Sequence, residues 1–414
     1  MRRSAELQKF IDPSHLEDKA TLTVDGLPLI AVASPSTIEE LSRILHSLFE
    51  NDLSVLVTGN GNRLHVGNPP TRADLRLSTL DLKGILEFDQ EDGVIEVLAG
   101  TPLPQVRNVV NSEGWELPLD PPGNAPTLGG SLASAAFGPR FGHPRDFVLG
   151  LGMVMADGTQ TKCGGRVIKN VTGYDLMKLY LGSYGSIGVI GSAWLRLLPY
   201  PESKKVLKLS FQKDDEGFKN SLKASRYASV RVACLTNSYP ILETSLGSDS
   251  MILILEISGD EKAVERDFNE LTNAYRADEI DDDVLLRIRA NQNSSPNASD
   301  SLAIHFRVLP SKLPVVWSSL NELGFSCFSY PNRGDLFASL DPNRLISDTE
   351  TLVSIRTLAS DSGGSFVLER APLRIKREFD VFGTDPSLLD ITSSLKETFD
   401  PRGILNVGRV SGRN

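Results

Sequence analysis

Three glycine-rich clusters in the first half of the chain hold the residue types best placed to do chemistry. The first, Thr58, Gly59, Asn60, Gly61, Asn62, Arg63 and Leu64, follows directly on an apolar strand pattern. Its spacing invites the GxGxxG dinucleotide fingerprint, and that reading fails twice. Leu64 occupies the third glycine position, and Pro69 with Pro70 bars the helix that would receive a pyrophosphate at its N-terminus. A loop of consecutive N–H donors can still bind phosphate as an anion nest, with Asn62 or Arg63 adding a side-chain contact. The alternative is an ordinary strand-end turn, since glycine pairs are common in turns. The second cluster, PPGNAPTLGGSLASAAFG, begins at Pro121 and ends at Gly138. Its prolines stiffen the approach, and Thr127 caps a short helix whose face is glycine, alanine and serine. Such a face suits a planar ring, or equally close packing against another helix. The third, GGRVIKNVTGYDLMKLYLGSYGSIGVIG, runs from Gly164 to Gly191 with Lys169, Asn170 and Asp175 among its glycines. Glycine admits bare backbone to a bulky ligand and tolerates positive φ, so the three clusters together suit a flat, polar cofactor gripped by main-chain amides.

The elements that must position these loops are legible in outline. Residues 37–49 have apolar side chains at helical spacing, with Thr37 as N-cap and Glu39 and Glu40 in the first turn. Short strands are expected at 54–58, 75–77, 85–89, 93–99, 150–156 and 192–198, and helices at 102–114 and 174–181. Asp157 and Gly158 form a hairpin turn signal. After Pro201 glycine becomes sparse and charge rises. There the order strand–helix–strand–strand–helix seen over 204–275 recurs over 303–359, closing on a strand at 365–369, which reads as two βαββα-type units. A helix at 386–399 and the sequence DPRGILNVGR regain the turn character of the first domain, so the C-terminus is expected to fold back there.

Composition narrows the classes. A chain of 414 residues is too long for one core. Its net charge of −10 argues against a nucleic-acid partner, where a basic footprint is expected. No apolar run approaches the roughly 20 residues of a membrane span. The opening MRRSAELQKFIDPSHLEDK has two arginines with no apolar core after them, so no secretory signal is expected in it. Cys163, Cys234 and Cys327 stand far apart without a CxxC pair, and the five histidines are scattered singly. Neither a metal site nor an iron–sulfur cluster is expected, and reduced thiols in the cytoplasm are.

The ordered set TGNGNRL, PPGNAPTLGGSLASAAFG, GGRVIKNVTGYDLMKLYLGSYGSIGVI and FDPRGILNVGR resembles the vanillyl-alcohol-oxidase-type flavoproteins. Within them it looks most like the smaller FAD-binding subunits of bacterial glycolate oxidases. The resemblance implies an α+β protein: a PCMH-type FAD-binding domain of two α/β subdomains at 25–201, after an extension at 1–24. An α+β cap with an antiparallel sheet follows at 202–385, and a segment at 386–414 returns to the FAD domain. It further implies that residues Thr58 to Leu64 cradle the FAD pyrophosphate. Pro122, Thr127, Leu128, Gly129, Gly130, Ser131 and Ser134 would line the flavin and diphosphate. Lys169, Asn170, Gly173, Tyr174 and Asp175 would lie along the same groove, Gly188 and Val189 would meet the adenine end, and Asn406 would approach the ring. Some relatives attach FAD through a histidine in the first loop. Here the matching position is Asn62, with His65 three residues on, which implies non-covalent FAD.

The implied activity is oxidation of a small 2-hydroxy acid, glycolate to glyoxylate. Electrons would pass to an iron–sulfur subunit beside a second FAD-containing hydroxy-acid dehydrogenase subunit, with any membrane association through those partners. Relatives that oxidise such acids carry a histidine-rich, metal-binding motif in the C-terminal half. Only His305 lies there in this chain, in a strand pattern that suits a core histidine, so no catalytic base is assigned. A stand-alone FAD-dependent alcohol or hydroxy-acid dehydrogenase, and a non-catalytic structural subunit, remain alternatives.

Overall fold

A computed structural model describes residues 16–166, 175–211, 214–237, 251–292, 302–340, 349–383 and 385–410, with positions 8, 11, 12 and 14. It is an α+β protein of two compact units: Met1–Phe137, His143–Pro199 and Thr384–Asn414 form the first, and Gly138–Gly142 with Tyr200–Gly383 the second.

The first unit holds two main sheets. Strands β1 (Leu16–Val24), β2 (Leu27–Ala33), β3 (Val55–Thr58) and β4 (Leu75–Ser78) give the order β1-β2-β4-β3. The hairpin joining β1 and β2 turns at Asp25 and Gly26, both at positive φ (47° and 82°), as a tight hairpin requires. β3 and β4 run parallel, pairing Leu56 with Arg76 and Thr58 with Ser78. Helix α1 (Ile38–Glu50) starts at a capping box: Thr37 Oγ1 accepts from the Glu40 amide at 3.1 Å, and the Glu40 carboxylate accepts from the Thr37 amide at 3.3 Å. It buries Leu41, Ile44, Leu45 and Leu48 against the sheet. The other edge of β3 is covered by the C-terminal return, where Val55 N donates to Ile404 O at 2.7 Å and Asn406 N to Val55 O at 2.9 Å.

The second sheet is antiparallel. Its strands are β5 (Ile85–Asp89), β6 (Val94–Leu98), β8 (Val148–Val154), β9 (Gln160–Gly164) and β10 (Val189–Arg196), in the order β5-β6-β10-β8-β9; β7 (Trp115–Glu116) pairs apart with β11 (Leu198–Pro199). Helices α2 (Leu103–Ser112) and α3 (Leu128–Ala133) contribute Leu103, Val106, Val110, Leu128 and Leu132 to its core, and α4 (Met177–Tyr180) contributes Tyr180.

The second unit is one eight-stranded antiparallel sheet with an internal repeat. Its first half runs β12 (Ser203–Phe211), α5 (Asp214–Ala224), β13 (Val230–Thr236), β14 (Met251–Gly259), α6 (Glu261–Tyr275), β15 (Asp278–Ile280), then α7 (Asp283–Gln292). The second half repeats it with β16 (Leu302–Arg307), α8 (Leu313–Glu322), β17 (Ser326–Tyr330), β18 (Asp335–Leu340), α9 (Thr349–Asp361), β19 (Ser365–Arg370), then α10 (Leu373–Glu378). The sheet order β15-β12-β14-β13-β17-β18-β16-β19 reads the same from either edge, fourth-first-third-second strand in each half. The repeat is therefore βαββαβ with a trailing helix, one strand longer than the βαββα pattern: the short β15 had no apolar alternation to reveal it. One core runs through both halves, with Leu255, Phe306 and Trp317 buried in it.

Candidate functional site

The first glycine cluster turns as the chain leaves β3. Within residues 59–64 Gly61 takes φ +79°, and the amides of Gly59, Asn60, Gly61 and Asn62 donate to no protein acceptor among the described residues. Facing them is the 121–127 segment. A Cβ on Gly59 would lie 2.2 Å from Thr127 Oγ1, and one on Gly123 (φ +110°) 2.8 Å from Asn62 Cγ. Both glycines are thus required by close approach, and the first two clusters form one cradle. Side chains fasten it: Asn60 Nδ2 donates to Asn124 O and Ala125 O at 3.1 Å each, and Asn62 Nδ2 to Asn124 O at 2.9 Å. The side-chain amides close the loop while its main-chain amides stay open, which is the arrangement of an anion nest.

The cradle is one end of an open cleft lined by both glycine clusters and by the C-terminal return. Its long wall is α3, where Thr127 caps the Gly130 amide at 3.4 Å. The amides of Leu128 and Gly129 are spent behind the wall, on Thr101 O at 3.0 Å and Ala99 O at 2.7 Å. The helix therefore offers the cleft a surface of small groups, Gly130, Ser131, Ala133 and Ser134, rather than a row of donors. Both serine hydroxyls donate back into the helix, to Thr127 O and Gly130 O at 2.7 Å each. A smooth wall of this kind accepts a planar ring.

The far side is built by the C-terminal return. Asn406, at φ +45°, accepts from Val57 N at 2.6 Å through Oδ1 and donates through Nδ2 to Tyr184 O. Tyr184 is itself at φ +52°, its amide donating to Ala133 O at 2.8 Å. Lys396 holds the same turn, donating to Ser186 O and Leu405 O at 2.7 Å each and pairing with Asp400. Burial pushes its ammonium below the ordinary lysine value, against the pull of Asp400. Arg409, 4% exposed, pairs with Asp25 at 3.0 Å and donates to Leu64 O at 2.8 Å and Asn68 O at 3.0 Å.

Thr58, Gly59, Asn60, Gly61, Asn62, Arg63, Leu64, Pro122, Thr127, Gly130, Ser131, Ser134 and Asn406 all line this cleft. Five expected residues do not. Leu128 is buried in the core beneath α3, and a Cβ on Gly129 would meet that of Ala99 at 2.7 Å, so both face away. Gly188 lies over Met153 and Met155, and Val189 is buried in the core under β10. Asp175 pairs on the surface with Lys178 at 2.8 Å. Lys169, Asn170, Gly173 and Tyr174 lie outside the described residues. The wall also contains Leu56, Val57, Pro121, Pro126, Ala133, Ala136, Tyr184 and Arg409, which were not among the expected site residues. Tyr184 had a signal, a large residue between Gly182 and Gly185; Arg409 had none. In the second unit His305 Nε2 donates to Asp335 Oδ1 at 2.9 Å, and the ring stacks on Phe337 at 4.3 Å.

Residues 29–164 match the sequence model of the FAD binding domain family, and the chain carries a PCMH-type FAD-binding domain. It is 25% identical to the glycolate oxidase subunit GlcD of Bacillus subtilis (strain 168), over 93% of this chain and 89% of that one. It is 27% identical to the D-lactate dehydrogenase of Archaeoglobus fulgidus, over 92% of this chain and 90% of that one. Among solved structures, a p-cresol methylhydroxylase with substrate bound superposes with a TM-score of 0.76 at 13% identity, covering 99% of this chain and 96% of that one, a likeness of fold. No helix among the described residues is long and apolar enough to cross a membrane.

Proposed function

We propose that this FAD-dependent oxidoreductase oxidises a small 2-hydroxy acid, glycolate to glyoxylate, with FAD held non-covalently and electrons passed to an iron–sulfur partner subunit. The observation that carries the reading is the cradle of unspent amides at one end of a cleft whose long wall is made of small groups. The residues present fit the cofactor. The Gly59, Asn60, Gly61 and Asn62 amides would take the pyrophosphate, with Arg63 supplying positive charge on the wall. Thr127, Gly130, Ser131 and Ser134 would orient the ring, and Asn406 would fix the turn beside it rather than bind through its amide, both ends of which are spent in the protein. When bound, FAD accepts the hydride of the substrate alcohol.

Asn62, in place of an attaching histidine, supports non-covalent binding; His65 is not on the wall. The wall contains no carboxylate, imidazole or lysine among its described residues, and no residue is assigned as the base that takes the hydroxyl proton. The similarity to a protein named as a glycolate oxidase subunit supports assembly with partners. Similarity over almost the whole chain to a D-lactate dehydrogenase favours a second reading, a stand-alone dehydrogenase acting on a related 2-hydroxy acid. Anaerobic mixing of the isolated chain, and of the co-purified native complex, with glycolate or D-lactate tests both. Flavin bleaching by glycolate in the complex alone is expected. Bleaching of the isolated chain establishes the second reading, and a chain that carries no flavin in either preparation overturns both.

A further inference from the structure

The parallel pairing of β3 with β4 sets Leu56 beside Arg76, so Leu56, Thr58 and Arg76 share one face of the sheet. Leu56, Val57 and Thr58 all line the cleft at the end of β3, and Arg76 lies on the neighbouring strand, β4. From there Arg76 Nε donates to Thr58 Oγ1 at 2.6 Å, and a terminal nitrogen donates to Gly59 O at 3.2 Å. These are the two residues that open the loop of unspent amides. No carboxylate pairs with Arg76 among the described residues; its partners are a hydroxyl and a carbonyl. Arg409 on the same cleft has Asp25 as its counter-charge. A half-buried guanidinium without an anion is costly, because desolvation is not offset by charge pairing. Burial accordingly lowers its pKa, with no opposing carboxylate.

We infer that Arg76 is a positioning residue for the diphosphate of the bound dinucleotide: it holds the mouth of the 59–64 loop and supplies, from beneath, the positive charge that the loop's neutral amides lack. This rests on the reading of the cleft as the FAD site and adds to it a residue that does not touch the cleft wall. The ligand feature it answers is the anionic diphosphate, not the ring.

The test uses the full chain stripped of flavin, with affinities for FAD, ADP and riboflavin measured at low and high salt. Arg76→Gln keeps a donor for Thr58 and removes the charge. It is expected to weaken FAD and ADP by tenfold or more, leave riboflavin unchanged, and flatten the salt dependence of FAD binding. Arg76→Lys is expected to recover most of the FAD affinity and the salt dependence. Equal losses for FAD and riboflavin, or rescue by neither charge nor salt, would mean that Arg76 only props the loop, and the inference fails. Should Arg76→Gln not fold, Arg76→Lys decides: a salt dependence lost despite the retained charge also overturns it. Wild-type chain that binds none of the three ligands sinks the cofactor reading itself, a distinguishable result.

Discussion

Two glycines far apart in sequence, Gly59 and Gly129, separate what a Cβ would do to the cleft from what it would do to the fold. At Gly59 a side chain would displace Thr127 Oγ1, 2.2 Å away, and with it the cap on the Gly130 amide. At Gly129 it would push α3 off Ala99, behind the wall. Gly59→Val is expected to abolish FAD binding while lowering the stability of the flavin-free chain by about 1–2 kcal/mol, the scale of a lost cap. Gly129→Val is expected to destabilise the flavin-free first unit more, about 1–3 kcal/mol for overpacking, with FAD loss as a consequence. Thermal midpoints of the flavin-free variants beside their FAD affinities distinguish the two. Equal behaviour would show that the wall has been drawn on the wrong side of α3. Tyr184 and Asn406, both non-glycine residues at positive φ, are held there by their mutual hydrogen bond and by bonds to Ala133, Val55 and Val57. Non-glycine residues in that conformation concentrate at binding sites.

Among the elements, β16 and β18 meet through a charged pair rather than apolar side chains alone. The register sets His305 opposite Phe337 and Arg307 opposite Asp335, and His305 Nε2 reaches Asp335 at 2.9 Å. Burial by itself would raise the Asp335 carboxyl. The His305 hydrogen bond and the charges of His305, Arg307 and Arg333 outweigh it and hold the carboxyl below its ordinary value. A carboxyl lowered in the folded state adds stability above its unfolded value, about 3.9, and loses it as the pH falls through the lower folded value. The thermal midpoint of the second unit should therefore fall as the pH drops below about 4. Asp335→Asn should start lower at neutral pH and lose the Asp335 part of that decline. If the variant and the wild type fall in parallel, the pair does not anchor these strands.

For the whole molecule, the cleft belongs to the first unit alone, and the second has its own continuous core. A ligand that binds only the folded first unit stabilises it by mass action, about 4 kcal/mol at a thousand times its Kd. Calorimetry with saturating FAD is expected to raise the transition of the first unit and leave that of the second in place. A common shift of a single transition would mean that the units unfold as one. The net charge of −10 makes the local arrangement more telling: Arg63 and Arg76 lie at or beside one cleft of an acidic protein, where on the proposed reading they would favour an anionic ligand.

The chain's own order of residues determined the strand ends, the Thr37 and Thr127 caps and the glycine loops, and through them the FAD-binding domain. Each of these depends on the backbone preferences of neighbours a few positions apart, which a linear reading can see. The internal repeat was visible as an order of elements, and its mirrored strand order was not, because β13 meets β17 only once both halves have folded. Which glycines face the cleft was likewise decided by tertiary packing: Gly59 and Gly129 look alike in the sequence, and only the neighbours Thr127 and Ala99 tell them apart. Arg76 and Arg409 could not be read at all. Their roles depend on the register of parallel strands and on contacts such as Val57 with Asn406, 349 positions apart, that exist only after the C-terminal segment returns to β3.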